Sequence, residues 1–164
     1  LFAGKLDVVI SVRPVDMLED DFEWRPLKDE PVDIVASSKH PLAARDGLAV
    51  ADLVPYSWVV PPRPEPDRLN LDAHFIAAGL PKPKIAIETT SVTFLDAALL
   101  RTHHLSYLTR SSISGHGSNL TALRLAGKTW SRTICAVFRR KGVVRPTVLA
   151  FVREMERVCR SEAN

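Results

Sequence analysis

The chain has 164 residues, 46% hydrophobic and 25% charged, with a mean hydropathy of +0.00, which argues against intrinsic disorder and leaves room for one domain or two small lobes. No apolar run approaches the roughly 20 residues of a membrane helix, and the start lacks the basic-then-apolar layout of a signal peptide, so the expectation is a cytoplasmic protein with no membrane partner. Net charge is +3, divided between an acidic first half (residues 1–82, 9 Lys/Arg against 14 Asp/Glu) and a basic second half (13 against 5), whose scattered cations read as solvated surface.

In chain order, Lys5–Val12 reads as a strand buried on both faces, because Leu6, Val8, Val9, Ile10 and Val12 form a near-continuous apolar run that ends at Arg13-Pro14. Pro31–Ser37 reads as a second strand and Trp58–Val60 as a third. The segment 61–66 holds four prolines, which forbids a helix there and marks a boundary between lobes. Asp67–Ala78 has helical spacing at Leu71, Phe75 and Ile76, with Gly79 where a left-handed cap belongs. Lys84–Glu88 is a strand, and Thr90-Ser91 can cap a helix through Phe94, Leu95, Ala98 and Leu99. Leu105–Leu108 is a strand, Ser111–Ser118 a loop or short turn, and Thr133–Phe138 a strand preceded by Leu120, Leu123 and Leu125. The last element, Pro146 to about Cys159, places Val148, Phe151, Val152, Met155 and Val158 on one helical face, with Pro146 at its first turn. Alternating strands and helices indicate an α/β fold.

Several motifs hint at chemistry without supporting it. Gly127-Lys128-Thr129 resembles the tail of a phosphate loop, but Ala122 stands where that loop needs glycine. His103, His104 and His116 do not converge, because neighbours on a strand point to opposite faces. Gly115-His116-Gly117-Ser118 lacks a nucleophile elbow, and Glu19-Asp20-Asp21 lacks calcium-loop spacing. Cys135 and Cys159 form neither a disulfide framework nor a zinc pattern. No catalytic residues, metal ligands or cofactor are therefore expected.

Two polar spots suit binding. Ser11 and Arg13 stand at the carboxyl end of a strand, where ligands of open α/β sheets sit. Thr90, Ser91 and Thr93 lie at a helix N-terminus, which serves either as an anion site or as a simple N-cap.

Four blocks in order, Leu1–Ile10, His40–Ala43, Asp52–Val60 and Arg140–Phe151, resemble the C-terminal effector-binding domain of LysR-type transcriptional regulators. Leu1, Gly4, Leu6 and Asp7 match the family's L-x-x-G-x-L-D; His40 to Ala43 match its H-P-L-A turn. Asp52, Leu53 and Trp58 match its D-L before an aromatic strand. Phe75 with Gly79 and Pro81 resembles F-x-x-x-G-x-P, and Glu88 with Ser91 resembles E-x-x-S.

The resemblance implies two Rossmann-like lobes of the periplasmic-binding-protein type (type II), the first incomplete: residues 1–57 and 142–164 in lobe I, 58–141 in lobe II, with crossings near 58–62 and 138–142. It implies a small anionic or sugar-like effector held by Ser11, Arg13, Thr90, Ser91, Tyr107 and Thr109. The stretches Trp58–Pro62 and Ala78–Pro81 look most like the branch of galactose-binding-protein regulators and regulators of aromatic-acid catabolism. One departure stands out, because the family's G-x-G-I-x-x-x-P is here Thr102 through Thr109, without its glycines and proline.

A start at Leu1 suggests that the winged helix-turn-helix, the linker helix and the opening β-α-β are missing. DNA would then be read only by the missing part, the homo-oligomer would form through the sensor domain, and the fragment would expose apolar surface and associate. The alternative is a periplasmic-type solute-binding protein of a transporter; a small α/β enzyme is a third reading.

Overall fold

Strand β1 (Val8–Val12) is built from β-branched residues, and the computed structural model pairs it antiparallel with β7 (Trp130–Arg139), Val8 opposite Phe138 through Val12 opposite Ile134. The structure describes residues 1, 5–13, 21–113, 119–127, 130–140 and 144–161. Gly4, Glu19, Asp20, Gly115–Ser118, Lys128 and Thr129 lie outside the described residues.

The chain forms two compact units, Leu1–Glu30 with Arg132–Asn164, and Pro31–Ser131. It passes between them within β2 (Phe22–Ser37) and returns within β7. The lobe limits drawn from the sequence, after residues 57 and 141, fall elsewhere. The proline-rich segment does not divide the units; it joins β3 (Ser57–Val60) to α1 (Pro66–Ala77) inside the second. Its last proline begins the helix, where a missing N–H costs nothing.

In the first unit, β7 is covered on both faces. Ala136 and Phe138 pack with Val148 and Val152 of α4 (Pro146–Ser161), while Cys135 and Val137 pack with Phe22 and Trp24 of β2. Beside β2, the Arg132 guanidinium donates to Glu30 and the Thr133 hydroxyl bonds to Asp29. Two expectations need correction. β1 is not buried on both faces: Leu6 is 57% and Ile10 42% exposed, because β1 ends the strand order, with β7 its ladder partner among the described residues. Phe151 is 43% exposed, since only the Val148 and Val152 stripe of α4 meets β7.

In the second unit, Val35 of β2 pairs antiparallel with Ser106 of β5 (Ser106–Thr109) on one edge and with Ala122 of β6 (Leu120–Ala122) on the other. β3 pairs parallel with β4 (Lys84–Glu88), from Ser57–Lys84 to Val60–Glu88, and bridges in parallel from Trp58 to Leu105, just before β5. The parallel order is thus β4-β3-β5.

Alternation along β3 decides where the helices lie. Trp58 and Val60 face Leu71 and Phe75 of α1, whereas Val59 faces Leu95 and Leu99 of α2 (Val92–Arg101). The two helices therefore cover opposite faces, the doubly wound arrangement of parallel strands. Burying Leu71 and Phe75 contributes about 1.5–3 kcal/mol each.

Candidate functional site

Parallel strands joined by helices on opposite faces leave a crevice at their carboxyl ends where the connections diverge. In the order β4-β3-β5, one crossover leaves β3 for β4 and the next returns past it to β5, so this switch point lies at the carboxyl ends of β3 and β5. Three short segments of the second unit leave those ends: Pro61 after β3, Thr89–Ser91 after β4, and Arg110–Ile113, the four-residue helix α3, after β5.

The segment after β4 is held from both sides. The Thr89 N–H donates to the Val60 carbonyl at 2.9 Å, tying the ends of β3 and β4 together. The Thr89 hydroxyl accepts from the Ser91 N–H at 3.1 Å, and Ser91, the N-cap of α2, accepts from the Phe94 N–H at 3.3 Å. Ser91 therefore does cap α2, as one of its two readings required. Thr90 is exposed and makes no side-chain hydrogen bond among the described residues. The open end of α2 combines first-turn N–H groups, the positive end of the helix dipole and an available hydroxyl, a setting that favours a hydroxylated or anionic ligand.

Beneath this segment lies a charged network that the sequence did not announce. Arg68 and Asp72 are four residues apart on α1, and both side chains are over nine-tenths buried. Arg68 also reaches Glu88 at 3.3 Å, and Arg63 bonds to Asp72. Two guanidiniums against two carboxylates neutralise the network, and it anchors the last residue of β4 to the first turn of α1. No spacing signal separates a buried i,i+4 pair from a solvated one.

The remaining site residues are placed differently. The Tyr107 ring packs against the α1-side core with Ile34 as its strand partner. Thr109 is buried, its hydroxyl 2.8 Å from that of Ser112, where it fastens α3 to the end of β5. Thr102 replaces a family glycine by bonding to the Ala98 carbonyl at 2.8 Å and accepting from the His104 N–H at 3.1 Å, which closes the turn after α2 without a glycine. In the first unit, Ser11 is half-buried opposite Cys135, with its hydroxyl 3.5 Å from the Val12 carbonyl. Arg13 is exposed, anchored by its N–H to the Thr133 carbonyl at 2.9 Å. Burial pushes the Cys135 thiol above its ordinary value, against the opposing charge of Arg13.

Among the described residues, no three His, Cys, Asp or Glu side chains could hold one metal ion. Among the described residues no helix is long and apolar enough to cross a membrane.

Comparison with known proteins gives the chain a family. The model of the LysR substrate binding domain matches residues 1–160. The effector binding domain of QuiR, solved in complex with shikimate, superimposes with a TM-score of 0.82 at 22% identity, covering 98% of this chain and 75% of that one. The regulatory domain of CcmR from Synechocystis PCC6803, in complex with 2-PG, gives 0.80 at 19% identity, covering 96% and 76%. Full-length CbnR complexed with its target DNA gives 0.73 at 20% identity, covering 97% of this chain and 54% of that one. No curated protein matches. These likenesses identify the fold as the periplasmic-binding-protein type II fold. The chain belongs to the LysR substrate binding domain family.

Proposed function

We propose that this chain is the effector-sensing region of a LysR-type transcriptional regulator, and that a small molecule binds at the carboxyl ends of β3, β4 and β5. The observation that carries the reading is the doubly wound β4-β3-β5 order, with Thr90 and the capped start of α2 following the carboxyl end of β4, in a chain matched to this family over residues 1–160. Thr90 and Ser91 contact the effector directly in this reading, and Ser11 and Arg13 of the first unit are further candidate ligand-binding residues. Thr109 sets the start of α3, and Tyr107 supports the strand from the core side.

Occupancy shifts the balance between conformations of the sensor, and through it the state of the regulator on DNA; this is a population shift and not a reaction. The same reading makes the sensor the seat of homo-oligomer formation, assigns DNA contact to another part of the regulator, and places the protein in the cytoplasm. Support for a small polar effector comes from the QuiR domain, solved with shikimate, and the CcmR domain, solved with 2-PG.

Titration calorimetry with shikimate, 2-PG and related small acids and sugars tests this. The account expects at least one saturable ligand, whose affinity falls about tenfold, or 1.4 kcal/mol, in the Thr90→Ala plus Ser91→Ala variant. If every ligand that binds were bound equally well by both proteins, these residues would be removed from the site.

A further inference from the structure

A second concavity lies wholly inside the unit Pro31–Ser131, a hollow of about 450 Å3 whose lining includes neither Thr90, Ser91, Tyr107 nor Thr109. It arises where the chain leaves the edge of β2. The Leu123 N–H still donates to the Ile34 carbonyl at 2.8 Å, but Leu48 then takes over, donating to the Arg124 carbonyl at 2.9 Å and accepting from the Ala126 N–H at 2.7 Å. The described chain is thus drawn off β2 through Ala126, and β7 begins at Trp130. The volume falls within the range of small-molecule pockets.

The lining combines two kinds of chemistry. Ile34 and Leu123, both buried, and Trp130 supply its apolar lining. Stacking of the Trp130 ring on His74, at 4.2 Å and 5° between planes, fixes its orientation. Against this stand Arg110 and Arg124, with Asp33 as the lining carboxylate. Arg110 is committed to Asp33 through two bonds of 3.1 and 3.2 Å. Arg124 is paired at 2.7 Å with Asp46, but both are more than 70% exposed, and so open a pair costs little to exchange for another anion. The hollow thus offers one exchangeable guanidinium beside an apolar lining that includes the fixed Trp130 ring.

We propose that this hollow is a second ligand site, independent of the strand-end site, which takes a small planar carboxylate with its ring toward Trp130 and its carboxylate on Arg124. A planar group keeps its contact with the indole while the guanidinium selects the charge.

The test uses benzoate as probe and benzamide as its neutral isostere, with calorimetry and 1H–15N spectra of the 164-residue chain. Benzoate is expected to bind saturably, with shifts at Leu123, Arg124, Leu125 and the Trp130 indole, and benzamide about tenfold more weakly. Arg124→Ala, which opens only an exposed pair, should weaken benzoate about tenfold, and Ala122→Leu should fill the hollow and abolish binding. Thr90→Ala plus Ser91→Ala should leave benzoate binding unchanged, so failure at one site is distinguishable from failure at the other. The proposal is overturned by absence of saturable benzoate binding, by equal binding of benzamide, by full binding to folded Arg124→Ala, or by loss of binding in the Thr90/Ser91 variant.

Discussion

His40 shows what the family-matching residues do at the scale of a single side chain. It is 3% exposed; its Nδ1 accepts from the Leu42 N–H at 3.1 Å, and its Nε2 lies 3.2 Å from the His103 carbonyl, where a neutral ring donates. The ring also packs against Tyr56 at 4.5 Å. Both nitrogens are engaged in one tautomer, and protonation of Nδ1 would break the bond to Leu42. Burial holds His40 below the ordinary imidazole range, against the opposing bond to the His103 carbonyl, and burial also lowers His74. A depressed folded-state value means that the unfolded chain takes up protons first. Stability is fully present above about pH 6.5 and falls as the pH drops from there through the folded-state values. Urea unfolding between pH 7.5 and 5 should show this loss, and His40→Gln should reduce it; an unchanged slope in that variant would clear His40 of the effect. At neutral pH, His40→Ala should cost about 2–4 kcal/mol, since it orphans a buried N–H and opens a cavity.

At the scale of elements, other family-matching residues are also builders. Asp52 accepts from the Ala49 N–H at 2.8 Å and from Arg45, in that order the causes that hold its carboxyl below the usual range, while Leu53 beside it is fully buried. Gly79 adopts φ +69°, and the Leu80 N–H closes the end of α1 on the Phe75 carbonyl at 3.0 Å. Nothing lies within 4 Å of a Cβ added there, so Gly79→Ala should cost only the backbone term, about 1–2 kcal/mol by chemical denaturation. Asp72→Ala should be harsher, about 2–4 kcal/mol, because it leaves the buried Arg68 with only the half-exposed Glu88 as a carboxylate partner. A loss below 1 kcal/mol would show that Arg68 finds other partners.

These elements also show what the sequence can reveal. β4 and the cap of α2 were legible because an alternating run and a Ser at a helix start follow local rules. The first half of β2 was not, because Pro26, Pro31 and the charged run Lys28-Asp29-Glu30 hide a strand whose partners are distant in sequence. At the candidate site, Ser91 could be read from its position. The burial of Arg68 and Asp72 and the fastening of Thr109 to Ser112 depend on tertiary packing, which leaves no local periodicity.

At the scale of the molecule, the contrast between an acidic first half and a basic second half resolves into pairs. Asp7 meets Arg145, Glu30 meets Arg132, Asp33 meets Arg110 and Asp46 meets Arg124, each pair joining one half to the other. Four of the second half's cations are therefore matched to carboxylates of the first among the described residues, which weakens their pull on a phosphate backbone. The chain alone should show no salt-dependent retention of DNA in a mobility-shift assay; retention that weakens steeply with salt would contradict this. Exposed apolar side chains occur in both units, Leu6 and Ile10 in one, Val92 and Phe94 in the other.

The central claim is that a small effector binds at the carboxyl ends of the parallel strands, and its most direct test is 1H–15N chemical-shift mapping of the 164-residue chain against the small acids and sugars used for calorimetry. The account predicts that at least one ligand that binds shifts Thr89, Thr90, Ser91 and the first turn of α2, together with Ser112 after β5. The claim is contradicted if no ligand that binds shifts any of these residues.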